Sequence, residues 1–124
     1  TNLEADRRKA PYPLILASTM TGSSGFGELL ASHGFVMVGV NAMNPYDPWG
    51  NQLIDYPLDI LFALDQLVTN PPEGLEGIID TDSTGVIGYS FDGYNSLALS
   101  GAQVDPDFYQ NQCSNMPDMP PRVG

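Results

Sequence analysis

The sequence predicts an α/β fold with a small parallel sheet core and flanking helices. Three short segments are almost continuously apolar and contain β-branched side chains, which is typical of strands buried on both faces. Segments with helical periodicity separate them, and strands that alternate with helices form parallel sheets through right-handed crossovers. The chain has 124 residues, of which 42% are hydrophobic, so we expect at most one domain with a real core.

The first half of the chain predicts two strands joined by a short helix. The apolar run YPLILAST predicts the first strand over residues 12–19. The next segment, TGSSGFGELLASHG at residues 21–34, begins as a turn and then predicts a short helix that Gly34 ends. The run FVMVGVNAM predicts the second strand over residues 35–43, and the prolines and glycine of residues 44–51 predict a loop.

The second half predicts two helices around a third strand. Apolar residues recur at steps of three and four over residues 52–68, which indicates an amphipathic helix. After a connecting segment, TGVIGYS predicts the third buried strand over residues 84–90. The segment GYNSLALSG then predicts a third helix that ends at Gly101.

These elements divide the chain into three expected regions. Residues 1–11 are charged and aperiodic, which predicts an arm or linker, and residues 12–101 hold the α/β core. Residues 102–124 are interrupted by prolines and predict a lid or tail segment. A sheet of only three parallel strands would have exposed edges, so we expect the core to be the first part of a larger fold.

The charge distribution excludes some partners. The formal net charge is −11, and no lysine or arginine occurs between residues 10 and 121. A surface that binds phosphates needs clustered cations, so nucleic acid is not an expected partner. The acidic surface either keeps the protein soluble or is balanced by a basic partner chain. No apolar run is long enough to span a membrane.

Metals and cofactors are not expected either. The lone cysteine, Cys113, cannot form an internal disulfide or a multi-cysteine metal site. Asp80 and Asp82 lie in DTDSTG, which superficially resembles a calcium loop, but a turn-capping role is favoured.

The motif GYSFDG, at residues 88–93, places Ser90 between the third strand and the third helix. This context is typical of a nucleophile elbow, a sharp turn that exposes a serine hydroxyl at the carboxyl edge of a sheet. The following helix directs its N–H groups and positive dipole end at developing negative charge. The alternative is an ordinary turn with a capping serine. Asp92 stands at a position that is normally small, which argues against a fully competent site.

With this motif the chain resembles the α/β-hydrolase superfamily, and most closely the dienelactone-hydrolase-like esterases, which include cutinase-type polyester hydrolases and platelet-activating-factor acetylhydrolase-like proteins. The resemblance covers about residues 12–110. Five segments carry it in the same order: YPLILAST, LLASHGFVMVGV, GNQLIDYPLDILFALDQLV, IDTDSTGVIGYSFDGYNSLALSG and AQVDPDFY. It implies a partial α/β-hydrolase fold missing the C-terminal strands, and a serine hydrolase of carboxylic esters. It is also compatible with a secreted or periplasmic location.

The resemblance implies a role for each residue of the site. Ser90 would be the nucleophile that forms an acyl-enzyme with the ester substrate. The backbone N–H groups of Phe91 and Met20 would form the oxyanion hole. Thr21 and Trp49 would line the acyl or leaving-group pocket, although Trp49 could equally be a loop anchor packed on the sheet.

The sequence predicts no base for Ser90 within the chain. The only histidine, His33, immediately precedes the second strand, and a strand of about six residues separates it from the carboxyl edge by roughly 20 Å. In the α/β-hydrolases an acid and then a histidine follow the serine, yet Asp105 and Asp107 do not follow a strand. We therefore expect a second polypeptide or a missing segment to supply the acid and the histidine, since an unassisted serine is a poor nucleophile.

Two other functions are open on the sequence. The chain could be a non-catalytic, hydrolase-like scaffold subunit in which Asp92 marks a decayed elbow. The glycines of TGSSGFG beside GFVMVGVN also resemble the start of a nucleotide-binding Rossmann domain. The glycine spacing is one residue short for that fold, and Asn41 stands where an acid would hold the ribose.

Overall fold

The structure is a computed structural model with one three-stranded parallel sheet and helices around it. It describes residues 5–18, 25–41, 52–103, 105, 107–108 and 110–111. The strands are β1 (Tyr12–Ser18), β2 (Val36–Val40) and β3 (Ile79–Val86). The helices are α1 (Gly27–Ser32), α2 (Gln52–Thr69) and α3 (Phe91–Leu99). The predicted α/β class with a parallel sheet is confirmed.

The sheet has the strand order β2-β1-β3, so the first strand of the chain is the central one. Leu14 and Leu16 of β1 and Ile60 of α2 are almost completely buried and form the centre of the core. Partly buried apolar side chains from the two outer strands and two helices pack against them: Val36, Val38, Val40, Leu64, Leu67, Ile79 and Leu99. The unbroken apolar run of β1 therefore corresponds to a central strand, as its composition indicates.

The third strand differs from the prediction at both ends. It begins at Ile79 instead of residue 84 and ends at Val86 instead of residue 90. Pro13 of β1 pairs with Asp80, but the next residue, Leu14, already pairs with Thr84, so residues 81–83 form a bulge. The polar residues of this bulge interrupt the apolar pattern of the strand. The sequence pattern therefore does not predict the first half of β3.

Other boundaries agree with the sequence within a few residues. The predicted amphipathic helix at residues 52–68 is α2, and the predicted third helix begins two residues earlier than expected, at Phe91. Gly34 and Gly101 follow helix ends with φ angles of 84° and 94°. Both glycines thus take the left-handed conformation that commonly ends a helix. No helix within the described ranges is long and apolar enough to cross a membrane.

The described part of the N-terminal arm contacts the segment between α2 and β3. The Arg7 guanidinium donates hydrogen bonds to the backbone carbonyls of Gly74, at 2.8 Å, and Glu76, at 3.1 Å. Arg8 forms an ion pair with Asp6 at 2.8 Å. This exposed contact with Arg8 lowers the pKa of Asp6 to about 2.

Candidate functional site

Ser90 lies in the turn between β3 and α3, at the carboxyl edge of the sheet. Its backbone has φ 58° and ψ −120°, and it is the only non-glycine residue with positive φ in the described part of the chain. A side-chain-bearing residue in such a conformation costs about 1–3 kcal/mol and persists only where its surroundings enforce it. Ser90 thus occupies a strained turn between a strand and a helix.

The Ser90 side chain does not cap the helix that follows it. Ser90 is exposed, and it makes no side-chain hydrogen bond to the first turn of α3. A capping serine normally has β-region backbone angles and accepts a hydrogen bond from an early helix N–H. The structure therefore disagrees with the interpretation of Ser90 as an ordinary capping residue.

Gly88 is needed for the backbone to close this turn. A Cβ atom at that position would overlap the carbonyl group of Asp92 and lie 2.8 Å from the nitrogen of Gly93. Two backbone hydrogen bonds complete the turn, from Asp92 N–H to the Tyr89 carbonyl at 3.1 Å and from Gly93 N–H to the Ser90 carbonyl at 3.0 Å. A residue larger than glycine at position 88 would push the start of α3 away from the strand.

Asp92 is directed into the protein. It is 4% exposed, and its carboxyl group accepts a hydrogen bond from the hydroxyl of Ser18, the last residue of β1. Ser18 itself is 3% exposed. The Asp92 side chain therefore links α3 to the central strand, and its carboxyl group has a buried hydrogen-bond donor.

Two further polar side chains lie near Asp92. Asn95, one helical turn later in α3, is 1% exposed, and neither its amide nitrogen nor its amide oxygen has a hydrogen-bond partner among the described residues. Burial raises the pKa of the Tyr56 hydroxyl in α2, and the negative charges of Asp92 and Asp59 raise it further. Sequence reasoning missed Ser18, Tyr56 and Asn95. Only the three-residue spacing of Asp92 and Asn95 on one helix face could have indicated part of this cluster.

His33 lies at the opposite edge of the sheet from Ser90. It follows α1 and precedes β2, and its Nδ1 atom lies 2.9 Å from the carbonyl oxygen of Leu29 and 3.1 Å from the hydroxyl of Ser32. The five residues of β2 span about 16 Å at ~3.3 Å per residue. The prediction of a helix-end histidine, out of reach of Ser90, is confirmed.

Asp80, at the bulged start of β3, has the predicted turn-capping role. The Asp80 carboxylate accepts hydrogen bonds from the backbone N–H groups of Asp82, at 3.1 Å, and Ser83, at 3.2 Å. No group of three or more histidine, cysteine, aspartate or glutamate side chains suited to a metal ion occurs among the described residues. Asp105 is exposed, and its carboxylate accepts a hydrogen bond from the backbone N–H of Phe108 at 2.9 Å.

The structure describes only part of the predicted site. Phe91, whose backbone N–H the oxyanion-hole hypothesis uses, is the first residue of α3. Met20, Thr21 and Trp49 lie outside the described residues, and so do Cys113 and most of the glycine-rich segment of the Rossmann hypothesis. The last described residue before Met20 is Ser18, whose side chain donates a hydrogen bond to Asp92 in the first turn of α3.

The chain was compared with protein-family models, with curated proteins and with solved structures, and it matches none of them. What the structure shows is a small parallel α/β domain with the strand order β2-β1-β3.

Proposed function

We propose that the chain is the nucleophile-bearing part of a serine ester hydrolase that acts by acyl transfer through Ser90. The observation that carries this proposal is the backbone of Ser90, with φ 58° in a turn between a parallel strand and a helix. Strain of this kind concentrates at active sites. The tight packing of Gly88 on Asp92 and the exposed, non-capping Ser90 side chain support the same function.

The reaction would proceed in two steps. The Ser90 oxygen attacks the ester carbonyl carbon while a base takes the hydroxyl proton, and the bond to the alcohol oxygen then breaks as the alcohol receives that proton. Water attacks the acyl-Ser90 ester in the same way and releases the acid. The backbone N–H groups of Phe91 and Met20 would stabilise the oxyanion, supported by the positive end of the α3 dipole.

The base and its acid would come from a second polypeptide or from a segment missing from this chain. His33 is the only histidine in the chain, and it lies at the wrong edge of the sheet. In the described part of the chain β2 and β3 each pair with β1 alone, so both outer edges could accept further strands. The substrate class, a short-chain or polymeric carboxylic ester, is proposed from the resemblance to dienelactone-hydrolase-like esterases.

The proposal is tested with a fluorophosphonate probe on the native assembly, whose intact mass reports whether a second polypeptide is bound. We expect one labelled serine per copy of this chain, because the probe reacts only with activated serines. Ser90→Ala should abolish labelling. Ser100→Ala, at the other end of α3, should leave it unchanged and is the matched control. An unlabelled assembly that contains a histidine-bearing partner would instead favour a non-catalytic scaffold.

A further inference from the structure

We propose that the outer face of α2, which contains Leu58, Leu61 and Asp65, binds a helix of a second polypeptide. The apolar stripe of that helix would carry a lysine or arginine opposite Asp65. The inference does not depend on the function of Ser90, which lies in the turn before α3 and not on α2. It rests on the spacing of the exposed apolar residues of α2 and on the acidic residue among them.

The outer face of α2 is an apolar surface in water. About half or more of each of five large apolar side chains is exposed: Ile54 (66%), Leu58 (55%), Leu61 (49%), Phe62 (64%) and Val68 (57%). The inner face of the same helix already packs on the core through Ile60, Leu64 and Leu67, so the helix cannot turn its outer face inward. A contiguous apolar surface of this kind marks a site of interaction.

The spacing of the exposed residues fits another helix. Positions 54, 58, 61, 65 and 68 follow one another at steps of four, three, four and three, and four of the five are apolar. This is the spacing of the seam between two helices that pack side by side. The seam extends over about 21 Å of α2 at ~1.5 Å per residue. We therefore infer that the occupant is an amphipathic helix that lies along α2.

Asp65 interrupts the apolar seam and determines the charge of the occupant. It is exposed, and it lies four residues after Leu61 and three before Val68, so all three are neighbours on the helix surface. A purely apolar cover would bury the carboxylate without a partner, which is costly. A lysine or arginine at the facing position of the occupant would pair with Asp65. A polar residue at one position of such a seam also fixes the register of the two helices.

A second copy of this chain does not supply that cation from its own α2. No lysine or arginine occurs between residues 10 and 121, so the same face of another copy presents acidic residues and no lysine or arginine. Two copies with a net charge of −11 each would also repel one another. An anionic membrane surface is disfavoured for the same reason. The charges thus favour a basic partner helix.

The occupant is identified by photo-crosslinking in the native assembly. p-Benzoylphenylalanine replaces Leu61, in the middle of the seam, or Gln66, which is exposed about 140° further around the same helix and is the matched control. We expect position 61 to form a crosslink to a second polypeptide and position 66 to form none. The crosslinked segment should have apolar residues at steps of three and four, with a lysine or arginine among them.

Charge reversal tests the role of Asp65, with the crosslinked polypeptide as the binding probe. Asp65→Lys should raise the Kd about tenfold or more, because it places two cations opposite each other. Glu73→Lys, in the exposed segment after α2, changes the net charge equally and should leave the Kd within about twofold of the wild-type value. Replacing the partner's cation with glutamate should restore binding to the Asp65→Lys variant.

Truncation of the seam gives a second measurement that does not involve charge. Leu58→Ala should raise the Kd for the same polypeptide about tenfold, because an apolar anchor of the interface is lost. It should leave the unfolding of the partner-free chain nearly unchanged, since the side chain lies in water there.

The inference is overturned if position 61 forms no crosslink, or crosslinks to lipid or to another copy of this chain. It is also overturned if the crosslinked segment has no lysine or arginine, or if the two charge reversals weaken binding equally. None of these outcomes changes the fluorophosphonate labelling of Ser90, which tests the proposed function separately.

Discussion

Gly88 and Ser90 lie two positions apart, and the turn restricts the residue type at each position for a different reason. Gly88 must lack a Cβ atom, because one would overlap the carbonyl group of Asp92. Ser90 carries a Cβ atom although its φ of 58° lies in a region that glycine enters much more easily. Glycine at position 90 would adopt this φ without the steric cost that serine bears there.

This strain predicts an unusual order of stabilities at position 90. Ser90→Gly should have a free energy of unfolding about 1 kcal/mol higher than Ser90→Ala, because glycine relieves the positive φ while alanine keeps it. The measurement is chemical denaturation of the two variants. At Ser100, where φ is −80°, the same pair of substitutions should give the reverse order and serves as the control. Equal stabilities of the two position-90 variants would contradict the strained turn.

The glycines of the motif should also differ from each other. Gly88→Ala should destabilise the protein by about 1–3 kcal/mol or more, since the new methyl group overlaps backbone that cannot move aside. Gly93→Ala should be neutral or stabilising by up to about 1 kcal/mol, because its nearest contact would be 3.9 Å away and the site lies inside a helix. Thermal unfolding of both variants tests this. Similar losses for the two would show that the backbone at Gly88 is packed less tightly than the structure describes.

At the scale of elements, α2 has two distinct apolar faces. Ile60, on the inner face, is 2% exposed and packs against the central strand, whereas Leu58 and Phe62 are 55% and 64% exposed. A hydrophobic pattern alone does not distinguish these faces, because both have helical spacing. The buried face is identified only by the strands that pack on it.

The two faces of α2 should respond differently to the same truncation. Ile60→Ala should cost about 2–5 kcal/mol in unfolding free energy, as expected for removing methylene groups from a packed core. Leu58→Ala, two residues earlier in the same helix, should change it by about 0.5 kcal/mol or less, because the side chain is already in water. Denaturant midpoints report both values. A large loss from Leu58→Ala would mean that the outer face is covered.

These elements differ in how well the sequence predicts them. The central strand is predictable because a strand that is buried on both faces has a continuous apolar run. Helix α2 is predictable because a helix that is buried on one face has apolar residues at steps of three and four. The start of β3 is not, since the polar bulge at residues 81–83 interrupts the apolar pattern. The link between Ser18 and Asp92 could not be predicted either, because it joins residues 74 positions apart whose proximity depends on the strand order.

At the scale of the whole molecule, the fold brings the carboxyl ends of β1 and β3 together and leaves His33 at the other edge. The strained turn at Ser90 lies within this chain, while the proposed activation of the serine would depend on groups from outside it. The net charge of −11 and the absence of lysine and arginine from residues 10–121 suit a partner with a basic surface, since opposite charges favour association.

The central claim is that Ser90 is an activated nucleophile, and the most direct measurement locates the fluorophosphonate adduct by peptide mass spectrometry. The account predicts that the native assembly carries the adduct on the peptide that contains Ser90. It also predicts that denaturing the assembly before adding the probe prevents the reaction. An adduct on a different serine, or none in an assembly that includes a histidine-bearing partner, would contradict the account.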